Sequence, residues 1–166
     1  GDSLGSALAL EEILSGLCKI VKLFCPVDIP KYLRYFNGWD RVETSIYEKF
    51  DLFIIVDTTS NTLLSKVIED PLYKNLLEKT PVLVIDHHTD ATPDLTFDHE
   101  LILKEASSAG EVIFEISNAN NWTINETAAQ DLLGAIFSDT LGLSTSNTSA
   151  RTFEIASELT KLGANS

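Results

Sequence analysis

Two continuous apolar runs dominate the hydrophobic pattern, one within Asp51-Leu52-Phe53-Ile54-Ile55-Val56 and one within Pro81-Val82-Leu83-Val84-Ile85. Runs of this kind, rich in β-branched residues and bounded by turn formers, are the pattern of strands buried on both faces of a parallel sheet. Each is followed at once by an aspartate, Asp57 or Asp86. Leu101-Ile102-Leu103 is a shorter strand candidate, and Ile20 to Phe24 another. Helical spacing fills the intervals. Ser3 to Leu17 places Leu4, Ala7, Leu8, Leu14 and Leu17 near one face, and Thr62 to Leu77 is helical with an interruption at Asp70-Pro71. Ser108-Ala109-Gly110-Glu111 has the spacing of a capping box opening a helix through about Asn118. Asn125 to Phe137 forms the next helix. Ser149 to Leu162 forms the last, with Phe153, Ala156 and Leu159 on one face and Gly163 placed to stop it. This alternation predicts an α/β fold with a mostly parallel sheet covered by helices on both faces. The βα rhythm begins with a helix, as though its first strand were missing.

Composition narrows the class. At 166 residues, with 44% hydrophobic and 22% charged residues, the chain is expected to be a single domain spanning 1–166. No apolar run approaches the roughly 18 residues of a membrane span, and no export signal is visible, so a cytoplasmic protein without a membrane partner is expected. A chain that begins Gly-Asp would not display an original leader. Cys18 and Cys25 read as reduced core thiols rather than a disulfide. The formal net charge of −13 argues against a domain that grips long duplex nucleic acid by its phosphates. It leaves two readings open: acidity that serves solubility, or a small phosphorylated substrate met through bound cations that reverse the local field.

Ligand sites of open parallel sheets lie beyond the carboxyl ends of the strands, where Asp57 and Asp86 fall. Helix capping would explain one such aspartate, but two of them, one extended by His87 and His88, point to a site. The imidazoles and carboxylates can ligate a borderline divalent ion, although the tripeptide alone also fits a polar loop. His99, in an acidic polar stretch, reads as a surface residue. In Gly1-Asp2-Ser3-Leu4-Gly5-Ser6, Asp2 stands just before a helix, either as its N-cap or as a ligand, among small residues that permit close backbone approach. Asp139 lies where an apolar helix ends, a position electrostatically unfavourable for an acid and improved by a nearby cation.

Together these segments resemble the DHH phosphoesterases, which include RecJ-like nucleases, nano-RNases, cyclic-dinucleotide phosphodiesterases and family II inorganic pyrophosphatases. The matching motifs are Gly-Asp-Ser-Leu-Gly-Ser, Val56-Asp57, Asp86-His87-His88, and Ser138-Asp139-Thr140-Leu141-Gly142 with Ser146-Asn147-Thr148. Glu105-Ala106-Ser107-Ser108-Ala109-Gly110-Glu111 is similar to the serine-bearing segment of the nano-RNase and 3′-phosphoadenosine 5′-phosphate phosphatase branch. The resemblance covers essentially the whole chain. It implies that Asp2, Asp57, His87 and Asp139 are metal ligands, with Asp57 and Asp139 shared between two ions, and that His88 faces the scissile phosphate. Asp57, His88 and Asp139 would be the catalytic set. His88, Ser108, Asn147 and Thr148 would contact substrate, although Ser108 and Thr148 also read simply as helix caps.

The chain departs from the family before Asp2, where a histidine and a further aspartate are normal. The resemblance therefore implies truncation at the first motif and a missing C-terminal substrate-binding domain. The complete enzyme would carry two Mn²⁺ ions, with Mg²⁺, Co²⁺ or Zn²⁺ as other candidates. It would hydrolyse short oligonucleotides or phosphorylated nucleotides, in the manner of an oligoribonuclease and 3′-phosphoadenosine 5′-phosphate phosphatase. Cyclic di-AMP phosphodiesterase, inorganic pyrophosphatase and a catalytically weak nucleotide-binding regulatory module are the alternatives, and a homodimer is left open.

Overall fold

In the computed structural model, which describes residues 1–165, the β-branched runs form β1 (Phe53–Val56), β2 (Val82–Asp86) and β3 (Glu100–Leu103). They hydrogen-bond in the order β1-β2-β3, parallel throughout, with Phe53 opposite Val82 and Asp86 opposite Leu103. Alternation along the strands divides their side chains between two apolar layers. Phe53, Ile55, Val82 and Val84 meet Val67, Ile68, Leu77, Leu95 and Phe97 on one face. Ile54, Val56, Leu83, Ile85 and Ile102 turn to the other, against the main helical core.

Among the described residues six α-helices surround this sheet: α1 (Asp2–Gly16), α2 (Ser65–Ile68), α3 (Pro71–Lys79), α4 (Ala109–Ala119), α5 (Glu126–Asp139) and α6 (Ala150–Lys161). The expected crossover is α2 and α3, broken at Asp70, whose carboxylate accepts the Leu72 N–H while Pro71 takes the first helical position. Helices α1, α4 and α5 pack unusually closely because small residues line their contacts. A Cβ on Gly5 would lie 2.7 Å from the Asp131 carbonyl oxygen, and one on Gly110 would lie 2.8 Å from the Ala135 Cβ. These glycines therefore bring helix to helix, where the sequence pattern left open what the close approach served.

Three expectations are corrected. Ile20 to Phe24 is not a strand: Ile20 is 98% exposed, and only a single bridge pairs Phe24 with Glu43 outside the sheet. A short apolar stretch becomes a strand only where a neighbouring strand takes up its backbone groups, and here Leu23 instead packs against Leu4, Leu8 and Phe36. Cys18 is exposed and Cys25 half-buried; both are free thiols, as expected, but neither lies in the core. In α6 Phe153 faces outward, and the buried stripe is Thr152, Ile155, Ala156 and Leu159, set by the capping box that Ser149 forms with Thr152.

One buried acid lies away from the sheet. Asp131 on α5 is 2% exposed, and its Oδ2 has no hydrogen-bond partner. Burial lifts its carboxyl to about 7; Arg41 pulls downward, and Glu12 and Glu11 add to the rise. Arg41 is itself held to Glu11 by both Nε and an NH2 contact of 2.5 Å. The native state therefore holds more protons than the unfolded chain between the ordinary aspartate value and about pH 7, and stability falls as pH rises through that window. Asp131→Asn should abolish this loss. Melting curves are expected to show it little changed at pH 4 and about 4 kcal/mol more stable than wild type at pH 8; a difference independent of pH would contradict the assignment.

Candidate metal centre

Four segments bring their polar side chains together beyond the carboxyl ends of β1 and β2. From His87 Nε2, the Asp57 Oδ1 lies at 3.4 Å, Asp2 Oδ2 at 3.5 Å and Asp139 Oδ2 at 3.7 Å. Asp57 follows β1 in the left-handed region, with φ of +66°, a conformation that aspartate tolerates better than most residues. That turn is pinned by its N–H, which donates to the Ile85 carbonyl. Asp139 is the last residue of α5; beyond it, Thr140 donates its hydroxyl to the Ile136 carbonyl and accepts the Leu143 N–H, shaping the return of the chain.

Asp2 does not cap its own helix, whose N-cap is Gly1. Its carboxylate instead accepts the N–H groups of Ala109 and Gly110 at 2.6 and 3.1 Å, capping α4 from more than a hundred residues away. The Ser6 hydroxyl donates to the same carboxylate at 2.9 Å. His87 donates Nδ1–H to the Ala106 carbonyl at 3.1 Å, which leaves Nε2 as the nitrogen facing the acids. Asp86 is buried and receives the N–H groups of His87 and His88 together with His88 Nδ1, the last at 2.7 Å. It thus shapes the turn and orients His88, whose ring is half exposed, its Nδ1 4.0 Å from Asp57.

The electrostatics describe a site that seeks positive charge. Burial, reinforced by the Asp57 charge, lifts the Asp2 carboxyl to about 7 despite the hydrogen bonds from Ala109 and Ser6. For Asp57, burial is outweighed by the facing His87 imidazole and the hydrogen bond from Ser3, which hold it below the usual carboxylate value. Burial also opposes charge on His87, but Asp57, Asp2 and the Ala106 carbonyl prevail and raise it to about 9. Two atoms at the centre, Asp57 Oδ1 and His87 Nε2, are buried without hydrogen-bond partners. Orphaned polar atoms of this type, in a mixed carboxylate and imidazole set, fit a divalent ion that displaces the imidazole proton. Donor atoms within 4.8 Å of one another form two groups, Asp2, His87 and Asp139, and Asp57, Asp86, His87 and His88.

The remaining sequence candidates lie beside this centre in different ways. Ser108 is fully buried, its hydroxyl accepting the Glu111 N–H as the N-cap of α4. Asn147 donates its amide to the Ser107 carbonyl at 3.1 Å, joining the serine segment to the loop before α6. Thr148 is half-buried and does not cap α6, a role taken by Ser149. His99 is half-buried, with Nδ1 on the Phe97 carbonyl. Sequence reasoning passed over Ser3, whose hydroxyl donates to Asp57 Oδ2 at 2.5 Å, and Asp94, which receives the Asn61 N–H at 2.7 Å and so ties the loop after β1 to the loop after β2. The position of Ser3 directly after Asp2 was the only signal available; nothing near Asp94 marks it.

The chain is similar in sequence and fold to several known proteins. The DHH family, N-terminal domain, matches residues 1–138. A Streptococcus mutans protein named as a probable bifunctional oligoribonuclease and PAP phosphatase, NrnA, is 33% identical over 162 residues, covering 96% of this chain and 48% of its own length. Two solved structures, each 22% identical, share the fold. An exopolyphosphatase-related protein from Bacteroides fragilis superposes with a TM-score of 0.82 over 99% of this chain and 50% of its own. A Methanococcus jannaschii protein of family II inorganic pyrophosphatase type gives 0.71 over 97% and 52%. The chain thus spans about half the length of each of these relatives. The family match across most of its length, together with the relative 33% identical, shows that the chain belongs to the DHH family.

Proposed function

We propose that the chain is the metal-holding portion of a phosphoesterase that hydrolyses short oligonucleotides or phosphorylated nucleotides, with Mn²⁺ the ion its donors favour. The observation that carries this reading is the convergence of Asp2, Asp57, Asp139 and His87 Nε2 from four separate segments, with two of the facing atoms orphaned. These four residues would hold the ion. Held there, a divalent ion would supply polarisation of a phosphate oxygen and a lowered pKa for the attacking water. The two donor groups share His87, and the two-ion expectation belongs to the proposal for the whole protein.

The protein's own groups divide the remaining work. Ser3 occupies Asp57 Oδ2, so Oδ1 is the oxygen presented at the centre. Asp86 holds His88 through Nδ1, so that Nε2, when protonated, would donate to a phosphate oxygen or give its proton to the leaving group. Asn147, whose amide is bonded to the Ser107 carbonyl, and its neighbour Thr148 would contact substrate. The net charge of −13 favours small substrates over long duplexes. The nucleotide assignment is supported by the NrnA relative, 33% identical over nearly the whole chain.

Calorimetric titration with Mn²⁺ is expected to show binding by the chain, lost in Asp57→Ala and His87→Ala while circular dichroism stays native. In the full-length protein both variants should lose more activity than the roughly 10–100-fold that outer-shell changes cost, assayed on short RNA, 3′-phosphoadenosine 5′-phosphate, cyclic di-AMP and pyrophosphate. Inactivity of the wild type on all four with metal present would instead favour a nucleotide-binding module.

The His87 shift adds a pH signature. Metal must displace its proton below about pH 9, so apparent affinity should rise about tenfold per unit from pH 7 toward 9 and then level off. Without metal the sign reverses: the stability gained from charged His87 is complete below its ordinary 6.5 and is lost as pH climbs to about 9. A flat affinity profile would remove His87 from the ligand set.

A further inference from the structure

Glu111 is a buried carboxylate that the metal centre, as described, does not use. It is 4% exposed, and its Oε2 receives three donors: Ser107 N–H at 3.2 Å, the Ser107 hydroxyl at 2.6 Å and the Thr152 hydroxyl at 3.0 Å. Its spacing from Ser108 is that of a capping box, and Ser108 performs one half of that box by accepting the Glu111 N–H. The reciprocal half is diverted. A box glutamate would return to the N–H of its own cap residue, whereas Glu111 takes the N–H one residue earlier.

That N–H belongs to the peptide group joining Ala106 to Ser107, whose carbonyl receives Nδ1–H of His87 at 3.1 Å. One planar peptide therefore has a carboxylate on its N–H end and the imidazole on its C=O end. The neighbouring Ser107 carbonyl is held separately by Asn147. A charged acceptor on a buried N–H polarises the peptide and strengthens its carbonyl as an acceptor. Metal-binding histidines commonly give their second nitrogen to a carboxylate or a backbone carbonyl, which fixes the ring and raises its basicity. Here the two kinds of partner stand in series.

We propose that Glu111 is a positioning residue for His87, acting through the Ala106–Ser107 peptide to hold Nδ1–H and so aim Nε2 at Asp2, Asp57 and Asp139. This rests on His87 as a metal ligand for its consequence, but the hydrogen-bonded chain exists without metal. A purely architectural role for Glu111, tying α4 to α6 through Thr152, would be met by hydrogen bonds alone and predicts no effect on His87 beyond stability.

The test compares Glu111→Gln, which keeps size and one acceptor but removes the charge, with Thr152→Val, which removes a donor from the same carboxylate. In metal-free, ¹⁵N-labelled protein, the His87 Nδ1–H signal should lie downfield and exchange slowly in wild type and in Thr152→Val. In Glu111→Gln it should move upfield and exchange faster, and Mn²⁺ affinity should fall about tenfold, the lower end for outer-shell partners. Should both variants lower the melting temperature while leaving the His87 signal at its wild-type position, the positioning role is overturned. If wild type binds no Mn²⁺, the metal reading fails by itself, and the Nδ1–H comparison still decides the role of Glu111. Should Glu111→Gln not fold, Mg²⁺ added to wild type provides the second measurement. The His87 Nδ1–H and Ser107 amide signals must then shift together, and an unmoved Ser107 amide overturns the proposal.

Discussion

The Asp2 carboxylate sits where two demands meet. Its oxygens satisfy the first free N–H groups of α4, and one of those oxygens also faces His87 across 3.5 Å. A buried carboxylate close to a second one is unfavourable unless donors and positive charge surround it. The N-terminus of α4 supplies the donors and part of the charge, and a cation would complete it. Because the same contact joins the beginning of α1 to the beginning of α4, the acid that weakens the folded state electrostatically is also the tie that sets the helices around the centre.

Helix packing keeps that tie in register. Asp2 opens α1 and Asp139 closes α5, so the spacing of these two helices determines how closely their acids approach His87. Gly5 and Ala135 leave little side chain between the helices, and at Gly5 the α1 backbone comes close to the Asp131 carbonyl of α5. Close-packed helices have little freedom to slide, which gives three acids and an imidazole a fixed geometry despite their mutual repulsion. The loops after β1 and β2, joined through Asn61 and Asp94, bring the other half of the centre to the same place.

Function follows from this concentration of acceptors more than from the fold. Structures with the same α/β arrangement at 22% identity carry different names, so the shared architecture does not select a substrate. What the chain contributes is a cluster of carboxylates and imidazoles suited to a divalent ion, with His88 beside it steadied by Asp86. The nucleotide reading rests instead on the relative 33% identical along almost the whole chain, itself about twice as long.

Much of this was legible in the sequence. The buried runs ending in Asp57 and Asp86, the broken crossover at Asp70-Pro71, and the acids and histidines of the centre all carry local signals, since strand burial, proline and turn chemistry act on neighbouring residues. Other features required the assembled chain. Ile20 to Phe24 had the composition of a strand and lacked a partner; Phe153 had helical spacing and faced outward. The bonds from Asp2 to α4, Ser3 to Asp57, and Glu111 to the peptide facing His87 depend on how the chain closes on itself. Periodicity specifies which face of an element is apolar, and so determined the elements; which polar groups then meet, across 54 residues for Ser3 and 107 for Asp2, was decided only when packing removed water from between them.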